Sequence, residues 1–141
     1  MTSYILDASA LLRFTDKEAG FDRVQKLLVQ AARGECTLLL SAVNWGEIVA
    51  ALFKRANSLP SRMVRANALK ASLLALPLTV TPVTRELAED AAALKCDHKI
   101  PLADAFAGSL AMREDATLVT ADYDFKNVPA GLIKIDFLPS K

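Results

Sequence analysis

Apolar positions along this chain follow two alternating patterns. Between residues 21 and 32 they fall at Phe21, Val24, Leu27, Leu28 and Ala31, the spacing of a helix with one buried face. Short unbroken apolar runs stand between segments of that kind, as in Tyr4-Ile5-Leu6 and Leu38-Leu39-Leu40. Such runs suit strands covered on both faces. The pattern predicts strands over 4–6, 37–40, 79–83, 118–120 and 133–137. It predicts helices over 9–14, 21–32, 43–56, 60–76, 84–99 and 101–113. Ser41 and Thr84 offer capping hydroxyls, Pro77 stops a helix, and Pro101 suits the first position of another. Strands that alternate with one or two helices indicate an α/β fold with a parallel sheet under helices.

Composition supports this reading. Ala and Leu supply 46 of the 141 residues, with only five Gly and six Pro, which favours helices and argues against an all-β chain. The length fits one domain, expected to span 1–141. No basic segment precedes Asp7, so no secretory signal is read. The apolar stretch 71–80 is broken by Pro77 and is too short for a bilayer core of about 30 Å. A cytoplasmic protein with no membrane contact is expected, with Cys36 and Cys96 as reduced, partly buried thiols.

The acids carry the candidate chemistry. Asp7 follows the first strand, Asp122 follows strand 118–120, and Asp124 lies two residues on. Ligands of open parallel sheets collect at such strand ends. Asp7 alone has a structural reading as a helix cap. Asp104 shares its helical stripe with Ala107, Gly108 and Ala111, so its charge is expected to be partly buried. Such burial is costly unless the charge is paired or bound to metal. Glu47 stands early in its helix beside Val43, Ala50 and Ala51. There, complementing the helix dipole is an equal reading. Four acids in these places make a candidate oxygen-ligand site for Mg²⁺ or Mn²⁺. Neither GxGxxG nor GxxxxGK occurs, and His98 is the only histidine. Nucleotide fingerprints and a histidine acid–base pair are thereby excluded. Metal-assisted hydrolysis remains.

Four segments, in order, resemble the PIN-domain nucleases, and among them the small toxin ribonucleases of VapBC toxin–antitoxin systems. They are Leu6-Asp7-Ala8-Ser9-Ala10-Leu11-Leu12, Asn44-Trp45-Gly46-Glu47-Ile48, Leu102-Ala103-Asp104-Ala105-Phe106-Ala107 and Leu118-Val119-Thr120-Ala121-Asp122-Tyr123-Asp124-Phe125. The resemblance implies a PIN-like three-layer fold, with a mostly parallel sheet of four or five short strands between helices. It implies an endoribonuclease whose Asp7, Glu47, Asp104 and Asp122 are catalytic acids holding Mg²⁺ or Mn²⁺. Asp124 would be a further, variable ligand or hold the loop, and Ser9 and Thr120 would be supporting polar groups. It also implies a homodimer held in check by a VapB-type antitoxin.

Net charge is +1, which at first disfavours a nucleic-acid partner. The charge is unevenly spread. Residues 48–85 contain no acid but carry Lys54, Arg55, Arg62, Arg65, Lys70 and Arg85. Beside an acidic metal site, this basic stretch is expected to meet RNA phosphates, with Arg62 and Arg65 as the candidate contacts. The same helices show apolar residues, Met63, Leu69 and Leu74 among them, that would suit a dimer or antitoxin contact. Two other readings compete. A haloacid-dehalogenase-like phosphatase also has an Asp after its first strand, but expects a second Asp where Ser9 stands. A catalytically inactive PIN-like binding domain has little use for Asp104 among small residues.

Overall fold

A computed structural model describes residues 1–55 and 61–141. Its five strands are Thr2–Leu6 (β1), Cys36–Ser41 (β2), Thr79–Thr81 (β3), Thr117–Thr120 (β4) and Lys134–Phe137 (β5). They form one sheet in the order β3-β2-β1-β4-β5, with every neighbouring pair parallel. Parallel strands need crossovers, and those leading to β2, β3 and β4 take α-helices to one face or the other, while that from β4 to β5 holds only a 3-10 turn over Tyr123–Asn127. Ala8–Thr15 (α1), Phe21–Ala32 (α2), Ala42–Arg55 (α3) and Ser61–Leu74 (α4) cover one face, while Arg85–His98 (α5) and Leu102–Arg113 (α6) cover the other.

Side chains of the central strands alternate between two cores. Leu6, Leu38, Leu40 and Val119 pack with Leu11, Leu27 and Ile48 beneath the first four helices. Ile5 and Leu118 pack with Leu87, Leu94 and Leu110 under α5 and α6. Both faces of β1 are therefore dry, which explains why its sequence is a continuous apolar run. The result is the three-layer arrangement expected.

Element ends differ from the sequence reading by one or two residues, for local reasons. Pro82 ends β3 at Thr81 instead of Val83. Pro101 stands just before α6, at the cap position, and Leu102 is the first helical residue. Lys99 leaves α5 in the left-handed region at φ 55°, so that helix ends at His98. Thr84 caps α5 by accepting from the Leu87 N–H at 3.1 Å, and Ser41 Oγ accepts from the Val43 N–H at 3.1 Å. Ala56 and Pro60, the expected end of one helix and start of the next, lie outside the described residues. Cys36 is buried as expected, but Cys96 is exposed, because it falls on the solvent side of α5. Among the described residues, no helix is long and apolar enough to cross a membrane.

The chain's tail is tied back to its beginning. Gly20 adopts φ 92°, and a Cβ there would stand 2.9 Å from Leu138 Cβ. Arg13 Nη1 donates to the carbonyls of Ala19 and Pro139, both at 2.7 Å. The connection after β1 leads to β2 on one side, whereas that after β4 leads to β5 on the other. Between the carboxyl ends of β1 and β4 the sheet therefore opens a crevice, the usual ligand position of a parallel sheet.

Candidate functional site

Asp7 begins where β1 ends, and its carboxylate knits the crevice together. One oxygen, Oδ1, accepts from the Ala10 N–H at 2.9 Å, capping α1, and from Ser9 Oγ at 2.6 Å. The other, Oδ2, accepts from Thr120 Oγ1 at the end of β4. The same hydroxyls accept in turn: Ser9 Oγ from the Ala121 N–H and Thr120 Oγ1 from the Asp122 N–H, each at 2.9 Å. Asp7 is thus both the cap and a member of the acid group. Its burial drives the carboxyl pKa up to about 6, against the opposing pull of the Ser9, Thr120 and Ala10 hydrogen bonds.

Asp104 occupies the first turn of α6 and is 8% exposed, with Ala105, Ala107, Gly108 and Ala111 buried along the same helix. Its Oδ2 is buried without a hydrogen-bond partner. Burial first, then the neighbouring Asp122, Asp7 and Glu47, push its pKa up to about 8. The small residues have a packing role as well: a Cβ on Gly108 would lie 2.8 Å from Leu94 Cδ2 and 3.1 Å from Ile133 Cδ1.

Asp122 starts the 3-10 helix Tyr123–Asn127, and its Oδ1 accepts from the Asp124 N–H at 2.9 Å. Buried Phe125 and a bond from Tyr123 Oη to the Leu138 carbonyl at 2.7 Å hold this turn against the tail. Among the described residues, Asp104, Asp122 and Asp124 form the one cluster in which a carboxylate oxygen from each lies within 4.8 Å of the others. Asp7 and Glu47 stand outside that cluster, close enough to bear on Asp104 electrostatically.

Glu47 is exposed, on α3, and is aimed by a residue to which the sequence reading gave no role. Asn44 is fully buried, and its Nδ2 donates to Glu47 Oε1 at 2.8 Å and to the Ala103 carbonyl at 3.2 Å, joining α3 to α6. The only sequence signal was its spacing, three residues before Glu47 and so on the same helical face.

Arg62 and Arg65 are both on α4, Arg62 half-buried and Arg65 exposed. Among the described residues, no hydrogen bond or ion pair joins either to the acids. The basic stretch is also less free than its composition implies. Arg55 makes a two-pronged ion pair with Asp16 at 2.6 and 2.8 Å, and Arg85 lies 3.7 Å from both Glu86 and Glu89.

Acids from two strand ends, the first turn of α6 and the second turn of α3 therefore gather at one crevice, and a family model describes this chain. The PIN domain model matches residues 4–131. The chain belongs to the PIN domain family. A comparison with curated proteins finds no sequence match. Solved structures with the same fold include VapBC2 from Rickettsia felis bound to a fragment of its promoter DNA, with 17% identity, TM-score 0.72, and coverage of 98% of this chain and 100% of that one. DNA-bound VapBC from Salmonella typhimurium gives 16% identity and TM-score 0.70 over 97% and 98% of the two chains. Mycobacterium tuberculosis VapC20, described as a toxin cleaving the sarcin–ricin loop, gives 19% and 0.66 over 96% and 99%.

The donors of this PIN domain suit a hard divalent cation. All are carboxylate oxygens, and the unpartnered Oδ2 of Asp104 is a buried acceptor that a cation would satisfy.

Proposed function

We propose that this PIN domain is a metal-dependent endoribonuclease and the toxin of a type II toxin–antitoxin module. The observation that carries the reading is Asp104: a buried carboxylate with an unpartnered oxygen, beside Asp122 and Asp124, at the crevice between β1 and β4. Asp7, Glu47, Asp104 and Asp122 are the proposed catalytic and metal-holding acids, with Asp124 as an additional ligand. Mg²⁺ or Mn²⁺ held there would lower the pKa of a water and offset charge on the scissile phosphate. The chain's own work is placement. Ser9 and Thr120 fix Asp7, Asn44 fixes Glu47, and the backbone N–H of Asp124 fixes Asp122. Hydrolysis joins the water oxygen to phosphorus and breaks the P–O3′ bond. The 3′-oxygen takes up a proton, leaving a 3′-hydroxyl and a 5′-phosphate.

The surroundings of Asp7 argue against a phosphatase that uses it as nucleophile. Both its oxygens are engaged, it is 2% exposed, and Ser9 occupies the place of a second acid. The partner reading draws on α4, which leaves Met63, Val64, Leu69 and Leu74 exposed. Such a surface suits an antitoxin and a second copy of the chain. The VapBC relatives support that assignment. Arg62 and Arg65 remain proposed RNA contacts.

The test is cleavage of a mixed pool of structured RNAs by partner-free protein, with Mg²⁺ or Mn²⁺ and with chelator. Cleavage that needs metal, leaves 5′-phosphates and is lost in folded Asp104→Asn supports the reading. Metal-independent cleavage, or undiminished cleavage by that variant, overturns it.

A further inference from the structure

A cleft of about 550 Å³ opens where α5 hands over to α6, lined by Lys95, Cys96, Lys99, Ile100, Pro101 and Asp124. Asp124 belongs both to this cleft and to the three-acid cluster, so the cleft borders the candidate metal site. Two lysines on its wall are exposed, and among the described residues neither makes an ion pair. Complementing the α5 carboxyl terminus accounts for Lys95 in part. Lys99 is the left-handed residue that ends the helix, at φ 55°, its N–H donating to the Lys95 carbonyl at 2.8 Å. A non-glycine residue held there is uncommon. The Lys99 side chain lines the cleft.

We infer that this cleft is the track of the RNA strand flanking the cut, with Lys95 and Lys99 binding backbone phosphates. The inference deepens the ribonuclease reading and rests on it. It adds an electrostatic contact to the one proposed for Arg62 and Arg65. Arg55 and Arg85 of the basic stretch face acids, whereas among the described residues the two cleft lysines make no ion pair, and they border Asp124 of the acid cluster. Positive charge is needed there most, because phosphates arriving beside Asp124 meet a carboxylate.

The experiment measures binding of a fluorescent single-stranded RNA of about 12 nucleotides, long enough to occupy several phosphate sites. It uses the full chain carrying Asp104→Asn, which suppresses cleavage, in Mg²⁺ across a range of salt. Lys95→Gln with Lys99→Asn is compared with Arg62→Gln plus Arg65→Gln; Asn tolerates the left-handed backbone at 99. The cleft pair is expected to weaken binding and to flatten the slope of log K against log salt by about 1.4, two single-strand contacts. An unchanged slope for the cleft pair overturns the inference, whatever the arginine pair does. A parent protein that binds no RNA overturns the ribonuclease reading and this inference with it. A second readout needs no lysine substitution. Cys96 lines the cleft and is exposed, while Cys36 is buried, so bound RNA should slow alkylation at Cys96 alone. An alkylation rate unchanged at saturating RNA also overturns the inference.

Discussion

Asp104 holds a carboxyl whose ionised form burial disfavours and whose Oδ2 has no hydrogen-bond partner, so stability and activity should respond to it in opposite directions. Asp104→Asn removes a carboxyl that burial and three acids disfavour in its ionised form. The metal-free variant should be stabilised at neutral pH by about 1–3 kcal/mol, on the order of 3–10 °C in melting temperature. Its metal-dependent cleavage should fall by at least about a hundredfold, the usual scale for a lost electrostatic group. A variant neither more stable nor less active would remove Asp104 from the site. Thr120→Val tests Asp7 in the same way. It deletes a hydrogen bond that favours the carboxylate, so the Asp7 carboxyl should titrate above its present value of about 6. Carboxyl NMR of the metal-free protein measures that shift. At this scale the sequence was informative where chemistry conflicts with surroundings, as with an acid among Ala107, Gly108 and Ala111. Asn44 was silent because a buried amide becomes meaningful only through its contacts, and its bond to the Ala103 carbonyl spans 59 residues.

Elements were legible wherever capping residues and prolines marked their ends. Thr84, Ser41 and Pro77 stopped or started helices through local bonds or missing donors, which neighbouring residues alone determine. The joints between elements were less legible. Gly20 gave no sign that Leu138 would press on it from across the sequence, yet α2 starts there in a left-handed conformation. Gly20→Ala should cost about 1–3 kcal/mol in urea unfolding, from both the backbone strain and the contact with Leu138 Cβ. Cleavage per folded molecule should be unchanged, and a large loss of activity at full folding would show that this joint also shapes the crevice. Charge was the least legible property of all. A run without acids predicted a basic arm, but Asp16 reaches Arg55 from another element. Net charge by segment cannot reveal such pairing.

Across the whole molecule the acids make stability depend on pH in an unusual sense. Asp7 and Asp104 have folded pKa values raised above the ordinary 3.8, to about 6 and about 8. Between the ordinary value and those raised values the folded state binds more protons than the unfolded one, so metal-free stability should fall as pH climbs through that window. Divalent cation competes with those protons. The rise in melting temperature on adding Mg²⁺ should therefore be larger at about pH 8.5 than at about pH 5.5. Equal rises at both would show that neither buried acid binds the ion. The sheet order has a temporal consequence as well. β1 is made first but sits in the middle, and its partner β4, with Asp122 and Asp124 behind it, comes 113 residues later in the register Tyr4↔Thr117. At a synthesis rate of about 5–20 residues per second, the growing chain carries Asp7 and Glu47 for several seconds before β4 exists to face them. On the proposed toxin reading, a ribosome making this protein would hold a harmless polypeptide until β4 and the residues behind it emerged, leaving an antitoxin time to be present when the crevice forms.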